Sequence, residues 1–210
     1  MNNQRKPIYF SSDFHFGHAN CIKYDNRPFK DVIHMNQTLV NNYNSCVPED
    51  GICYILGDFG LQDFKTLQHI LNSMNGDKIL IIGNHDGNYN KMYRLGFKAV
   101  LHSAEMFISG ERVTMSHYPL LKVKTEDTTN MLGKGYVEGD SWGGESRFAK
   151  YAIENRGQYH LHGHVHSHGQ QITDKQFNVG VMHNNYYPVS ISRLESWIAK
   201  DKQRRIDGSV

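Results

Sequence analysis

With 210 residues and 39% hydrophobic content, the chain can bury a core of ordinary size and reads as one domain over 1–210, while no apolar run approaches membrane-spanning length. Lys and Arg number 23 against 21 Asp and Glu, a net charge of +2, which excludes the strongly basic footprint of a protein that coats nucleic acid or a membrane surface. Cys21, Cys46 and Cys53 are odd in number and lack CxxC spacing, which argues against both a disulfide framework and a thiolate zinc site; with no signal-like apolar core near the N-terminus, a reducing cytoplasm is expected.

In chain order, Ile8–Ser11 is a short β-prone run that ends just before Asp13. Val32, Ile33, Asn36, Leu39, Val40 and Tyr43 follow a helical period, and turn residues cluster at Pro48, Glu49, Asp50 and Gly51. A strand over 52–56 stops at Gly57 and Asp58. Phe64, Leu67, Ile70, Leu71 and Met74 mark an amphipathic helix with Asp63 as its N-cap and Gly76 at its end. The almost wholly apolar run 78–82 has the pattern of a strand buried on both faces, and it stops at Gly83 and Asn84.

Beyond Gly96 the pieces are shorter. Runs over 105–109 and 112–116 flank Gly110 and Glu111 as a hairpin, with His117 following. Residues 124–144 are polar and glycine-rich, and their place after His117 predicts a lid over the site. A helix over 147–155, a strand at Tyr159–His162, a hairpin turning at Asp174 and Lys175 and a closing helix from Arg193 complete the reading. The cations Lys200, Lys202, Arg204 and Arg205 then form a solvated helix end.

Histidine is the outlier of the composition, with 13. Five short stretches carry Asp, Asn and His just after predicted strands: Asp13-Phe14-His15, Gly57-Asp58, Gly83-Asn84-His85-Asp86, Ser116-His117 and His162-Gly163-His164-Val165-His166. Loops beyond strand C-terminal ends converge on one crevice in an α/β sheet, so these stretches can meet. Carboxylate, carboxamide oxygen and imidazole nitrogen without thiolate suit Mn²⁺, Fe or Zn²⁺. A carboxylate can bridge two metals about 3.5 to 4 Å apart and share a hydroxide between them for in-line attack on phosphorus. Asp58, with backbone freedom at Gly57 and Gly60, is the natural bridge. His164 and His166, two apart, face one side of a strand or splay toward two neighbouring metals in a tight turn.

Taken together and in this order, D-x-H, G-D, G-N-H-[DE], a lone His and G-H-x-H resemble the calcineurin-like metallophosphoesterase superfamily over residues 8–181. The opening Ser-Ser-Asp-Phe-His-Phe-Gly-His and the later Asn-Val-Gly-Val-Met-His-Asn-Asn are similar to a branch of small bacterial and phage phosphoesterases. The resemblance implies a four-layer α/β/β/α sandwich with a dimetal site at the strand C-terminal edge. It also implies that Asp13, His15 and His166 hold one divalent ion and Asn84, His117 and His164 the other, with Asp58 bridging. Mn²⁺ is the expected metal, with Fe, Zn²⁺ or Ni²⁺ as substitutes. His85 corresponds to the family's catalytic histidine, which is not a ligand and sits over the scissile phosphate.

The expected activity is hydrolysis of a phosphodiester or phosphomonoester, the substrate being a small nucleotide-type ester. One departure bears on this: Gly57-Asp58 runs into Phe59-Gly60-Leu61-Gln62 and lacks the Asp-Arg pair of protein Ser/Thr phosphatases, which weighs against phosphoprotein substrates. Two alternatives stand beside it. One is a nuclease or phosphatase acting on nucleic acid strands, against which the low net charge counts. The other is a metal-stabilised interaction protein without turnover, against which His85 counts.

Outside the ligand set, Arg27 is a candidate for a phosphate oxygen or, alternatively, for a carboxylate partner. His18, His162 and His168 neighbour ligands and either contact substrate or cap turns, His18 being the stronger substrate candidate. His34, His69, His102, His160 and His183 read as structural, and Tyr24 and Tyr136 are the aromatic residues placed to stack on a ring.

Overall fold

A computed structural model describes residues 6–120, 153–166, 172–173 and 175–208. The first sheet is built from strand–helix–strand units. Strands β1 (Ile8–Ser11), β2 (Ile52–Ile55), β3 (Asp77–Ile81) and β4 (Ala99–Leu101) run parallel, with Ile8 opposite Ile52, Ile52 opposite Asp77 and Ile79 opposite Ala99. Helices α1 (Ala19–Tyr24) and α2 (Val32–Cys46) follow β1, α3 (Phe64–Asn72) follows β2, and α4 (Tyr89–Leu95) follows β3.

The helix boundaries are set by side chains. Asp31 accepts a hydrogen bond from the His34 amide at the start of α2, and Asp63 accepts one from the Thr66 amide at the start of α3, as its N-cap position predicts. Met35, Leu39 and Tyr43 of α2, spaced by four, and Leu67, Ile70 and Leu71 of α3 lie buried against the sheet. α3 ends at Asn72, before Gly76. Strand β3 is less enclosed than its apolar run suggests, since only Leu80 and Ile81 are fully buried.

The second sheet contains β5 (Ser103–Ile108), β6 (Glu111–Ser116), β7 (Tyr159–His162), β8 (Ile172–Thr173) and β9 (Gln176–Asn178), in the order β5-β6-β7-β9-β8. The predicted hairpin joins β5 to β6, with Ser109 and Gly110 both at positive φ, 51° and 80°. β6, β7 and β9 are parallel, and β8 returns antiparallel beside β9. A 3₁₀ turn (Val181–Asn184) leads to β10 (Val189–Ser190), which joins the edge of the first sheet antiparallel to β1 before α5 (Ile191–Ile206) closes the chain.

The two sheets face each other across a core of Phe10, Leu56 and Ile81 from the first and Val113, Met115, Leu161 and Phe177 from the second. Leu194, Trp197 and Ile198 of α5 pack into that same core, and α1 to α4 cover the other face of the first sheet. The expected α/β sandwich is the fold. The lid expected over 124–144, together with Tyr136 and His168, lies outside the described residues. Of the helix expected over 147–155, residues 153–155 are described and are not helical. Among the described residues no helix is long and apolar enough to cross a membrane.

Candidate metal centre

Each of the five stretches leaves the C-terminal end of a strand: β1, β2 and β3 of the first sheet, β6 and β7 of the second. In the first stretch, side chains alternate. Phe14 and Phe16 turn into the core, where their rings stack 5.1 Å apart and Phe59 meets Phe16 edge-on at 5.1 Å, and this anchors Asp13 and His15 toward the opposite side. Amides of Asp13 and His15 donate to the carbonyls of Gly57 and Asp58, which locks the β1 loop to the β2 loop.

The nitrogen and oxygen atoms at the centre form two groups. In one, the Nε2 atoms of His15 and His166 face each other at 3.0 Å, with Asp13 Oδ1 3.6 Å from His166 Nε2. In the other, Asn84 Oδ1 is 2.9 Å from His117 Nε2 and 3.1 Å from His164 Nδ1, and those two nitrogens are 3.2 Å apart. Asp58 Oδ2 stands between the groups, 3.6 Å from His15 Nε2 and 3.5 Å from His117 Nε2. All seven predicted ligands are thus brought together. Asp13, His15, Asp58 and His166 present ligand atoms that all lie within 4.8 Å of one another, a cluster that could hold a metal ion.

Two features test whether a cation fits. Asp13, His15, Asp58, His164 and His166 all have left-handed backbones, with φ of 57°, 52°, 54°, 69° and 38°. Residues with a Cβ adopt this region at a cost of about 1 to 3 kcal/mol each, and such strain collects where side chains must converge on a ligand. The charges also ask for a cation. Burial, followed by the nearby charge of Asp13, pushes the Asp58 carboxyl up to about 7. Burial opposes protonation of His166, but the Asp13 and Asp25 carboxylates outweigh it and raise its pKa to about 10. A divalent ion bound to oxygen and imidazole donors would relieve both.

Supporting residues fix the imidazoles. His117 Nδ1 lies 2.7 Å from the carbonyl of Leu56, and His166 Nδ1 lies 3.0 Å from Asp25 Oδ1, leaving each Nε2 aimed inward. Two glycines are required by close approach. At Gly57, with φ of 90°, a Cβ would collide with the His117 ring, and at Gly163 one would collide with Ser12 Oγ and Asp13 Oδ2.

Asp86 and Asp25 are functional supports that the sequence reading assigned no role. Asp86 accepts from the amides of Asp58, Phe59 and Gly83, each at 2.8 Å, and so ties the loop after β2 to the loop after β3. Its place at the end of Gly83-Asn84-His85-Asp86 was the available signal. Asp25 had no comparable signal, because its contact with His166 spans 141 positions.

His85 lies at the rim, exposed, with its ring 5.4 Å from that of His15 and its amide donating to Asp58 Oδ1 at 2.9 Å. His18 borders the site at the N-cap position of α1, half-buried, with its ring 5.7 Å from that of His15. Arg27 requires a correction. Its guanidinium is buried and donates to the carbonyls of Phe14 at 2.9 Å and Asp13 at 3.1 Å while pairing with Asp25 at 3.4 Å, so it faces the backbone beneath the site and takes the carboxylate partner that was its alternative role. His162 is buried with Nδ1 against the Gly163 carbonyl, and Tyr24 is exposed at the end of α1.

No protein-family model matches the sequence. An uncharacterized protein of Methanocaldococcus jannaschii, MJ1445, is 30% identical over 205 residues, covering 94% of this chain and 94% of that protein. The chain belongs to the family of this archaeal protein. The family extends to phage: the gene 66 protein of Mycobacterium phage L5 is 30% identical over 179 residues, 82% of this chain and 85% of the phage protein. A crystal structure of a protein of unknown function, AQ665 of Aquifex aeolicus, superimposes with a TM-score of 0.63 at 23% identity, covering 92% of this chain and all of that one, which is a likeness of fold.

Proposed function

We propose that the protein is a dinuclear metal-dependent phosphoesterase of the calcineurin-like type. The observation that carries this reading is the placement of Asp58 Oδ2 between two groups of ligand atoms, 3.6 Å from His15 Nε2 and 3.5 Å from His117 Nε2. Asp13, His15 and His166 would hold one ion and Asn84, His117 and His164 the other, with the Asp58 carboxylate shared. The donor set favours Mn²⁺, with Fe, Zn²⁺ or Ni²⁺ able to substitute. Two such ions, when bound, supply a water-derived nucleophile at neutral pH and neutralise charge on the phosphoryl oxygens.

The chain supplies the rest. Buried loops hold the ligands, the carbonyl of Leu56 and the carboxylate of Asp25 orient two imidazoles, and His85 at the rim delivers a proton to the departing oxygen. His18, beside His15, contacts the phosphoryl group. The substrate is a small phosphoester of nucleotide type, processed in the cytoplasm, where the free thiols of Cys21, Cys46 and Cys53 are stable.

Metal removal tests the reading. Chelation should abolish hydrolysis of simple phosphomonoesters and diesters, and Mn²⁺ should restore it. Asp58→Asn should lower the metal content of the purified protein and reduce kcat/KM at least 100-fold, because a carboxamide bridges two cations poorly. Full activity in protein verified by elemental analysis to be metal-free would sink the mechanism.

A further inference from the structure

The stretch Asn178-Val179-Gly180-Val181-Met182-His183-Asn184 spans the seam between the two sheets. At one end Asn178 lies opposite His162 in the β7–β9 pair, and the Val179 amide donates to the His162 carbonyl at 2.8 Å. At the other, Gly180 bridges to Ser12, and the Val181 amide donates to the Ser12 carbonyl at 3.0 Å. Both partners adjoin predicted ligands: Ser12 precedes Asp13, and His162 stands just before Gly163 and His164. Val179 is buried in the core between the sheets and Val181 in the core beneath the helices, so close packing leaves the chain between them little room to slide.

Where it crosses the seam, the stretch runs against Asp13. A Cβ on Gly180 would stand 3.1 Å from Asp13 Oδ2 and 2.8 Å from Asn178 Oδ1, too close for either atom to keep its place. Gly180 has φ of −54° and ψ of 141°, a conformation open to any residue, so the contact and not backbone freedom explains the glycine. Asn184, buried at the end of the 3₁₀ turn, holds this backbone: its Nδ2 donates to the carbonyls of Gly180 at 2.8 Å and Asn178 at 3.1 Å, while Asn178 Oδ1 accepts from the Gly180 amide at 2.8 Å. Irregular buried backbone needs such side-chain partners, and one amide group serving two carbonyls fixes their spacing. We propose that Asn184 is a positioning residue of the metal centre: it holds the Gly180 backbone against Asp13 and so fixes the direction in which that carboxylate meets its ion. The inference rests on the metal centre of the phosphoesterase reading.

Calorimetry of Mn²⁺ binding to the metal-free full chain tests it. The binding step that His117→Ala retains belongs to the ion of Asp13, and that step should weaken about 10- to 100-fold in Asn184→Ala and likewise in Gly180→Ala. The other step should hold. Leu71→Ala, which opens a cavity in the core against α3, should lower Tm and leave both steps in place. An unchanged step in Asn184→Ala or Gly180→Ala, or an equal loss in Leu71→Ala, overturns the inference. Where Asn184→Ala does not fold, Asn184→Ser, which keeps one donor, takes its place. A protein that binds Mn²⁺ and hydrolyses no phosphoester fails the activity and leaves this comparison intact. Wild-type protein that takes up no Mn²⁺ means that the metal centre has failed by itself, and crystal structures of the metal-free wild type and Asn184→Ala then decide. Asp13 Oδ2 should shift by at least about 0.5 Å in the variant, and a carboxylate that keeps its place overturns the inference.

Discussion

His85 and Arg27 show how differently two polar side chains around one centre can be used. Each nitrogen of the Arg27 guanidinium donates inward, to the carbonyls of Asp13 and Phe14 and to Asp25, so its charge stabilises the strained loop and, through Asp25, the orientation of His166. His85 is held by its backbone and leaves its ring exposed at the rim. If that ring protonates the leaving oxygen, His85→Ala should slow alkyl esters by about 100- to 10,000-fold and aryl esters, whose phenolate departs without a proton, far less. Metal content should not change. Comparing kcat/KM for the two ester classes decides the point, and equal losses on both would favour electrostatic stabilisation of the phosphoryl oxygens by His85.

Between loops, the decisive contact is Asp86. Its carboxylate gathers three amides from two crossover loops, two of them at fully buried residues, Asp58 and Phe59. Burial and the charge of Asp58 push the Asp86 carboxyl up to about 6, so the loops hold it against repulsion. Asp86→Ala removes that repulsion but orphans the amides, and an unsatisfied buried donor costs about 1 to 3 kcal/mol. A net loss of about 3 kcal/mol in urea unfolding is expected, with weaker metal retention. A loss below about 1 kcal/mol would mean that the backbone bonds from Asp13 and His15 hold the loop without Asp86.

For the whole molecule, a buried polar cluster on the second sheet sets a pH limit. His160 is buried, 2.9 Å from both Thr114 Oγ1 and the Tyr118 carbonyl, and burial lowers its pKa to about 4. A histidine depressed on folding contributes stability that is complete above the unfolded value of about 6.5 and is lost as pH falls toward 4, because the unfolded chain binds the proton first. Unfolding free energy should therefore fall between pH 6.5 and 4 more steeply in the wild type than in His160→Gln, by up to about 1 kcal/mol per pH unit. Parallel slopes would remove His160 as the cause.

The five stretches of Asp, Asn and His, the strands before them and the helices over Val32–Cys46 and Phe64–Asn72 were legible in the sequence, because periodicity, capping and side-chain chemistry are local properties. Short elements escaped it: α1, α4, β4 and β10 are too brief for periodicity to register and are held by what they pack against. The orienting carboxylate of Asp25 and the inward turn of Arg27 join residues distant in the chain. Nor does any local signal say that three of the five stretches leave one sheet and two leave the other. The sequence by itself determined which atoms were available as ligands and that each followed a strand; only the packing of two sheets across a shared core decided which of them face one another, because that depends on contacts that no stretch of chain contains alone.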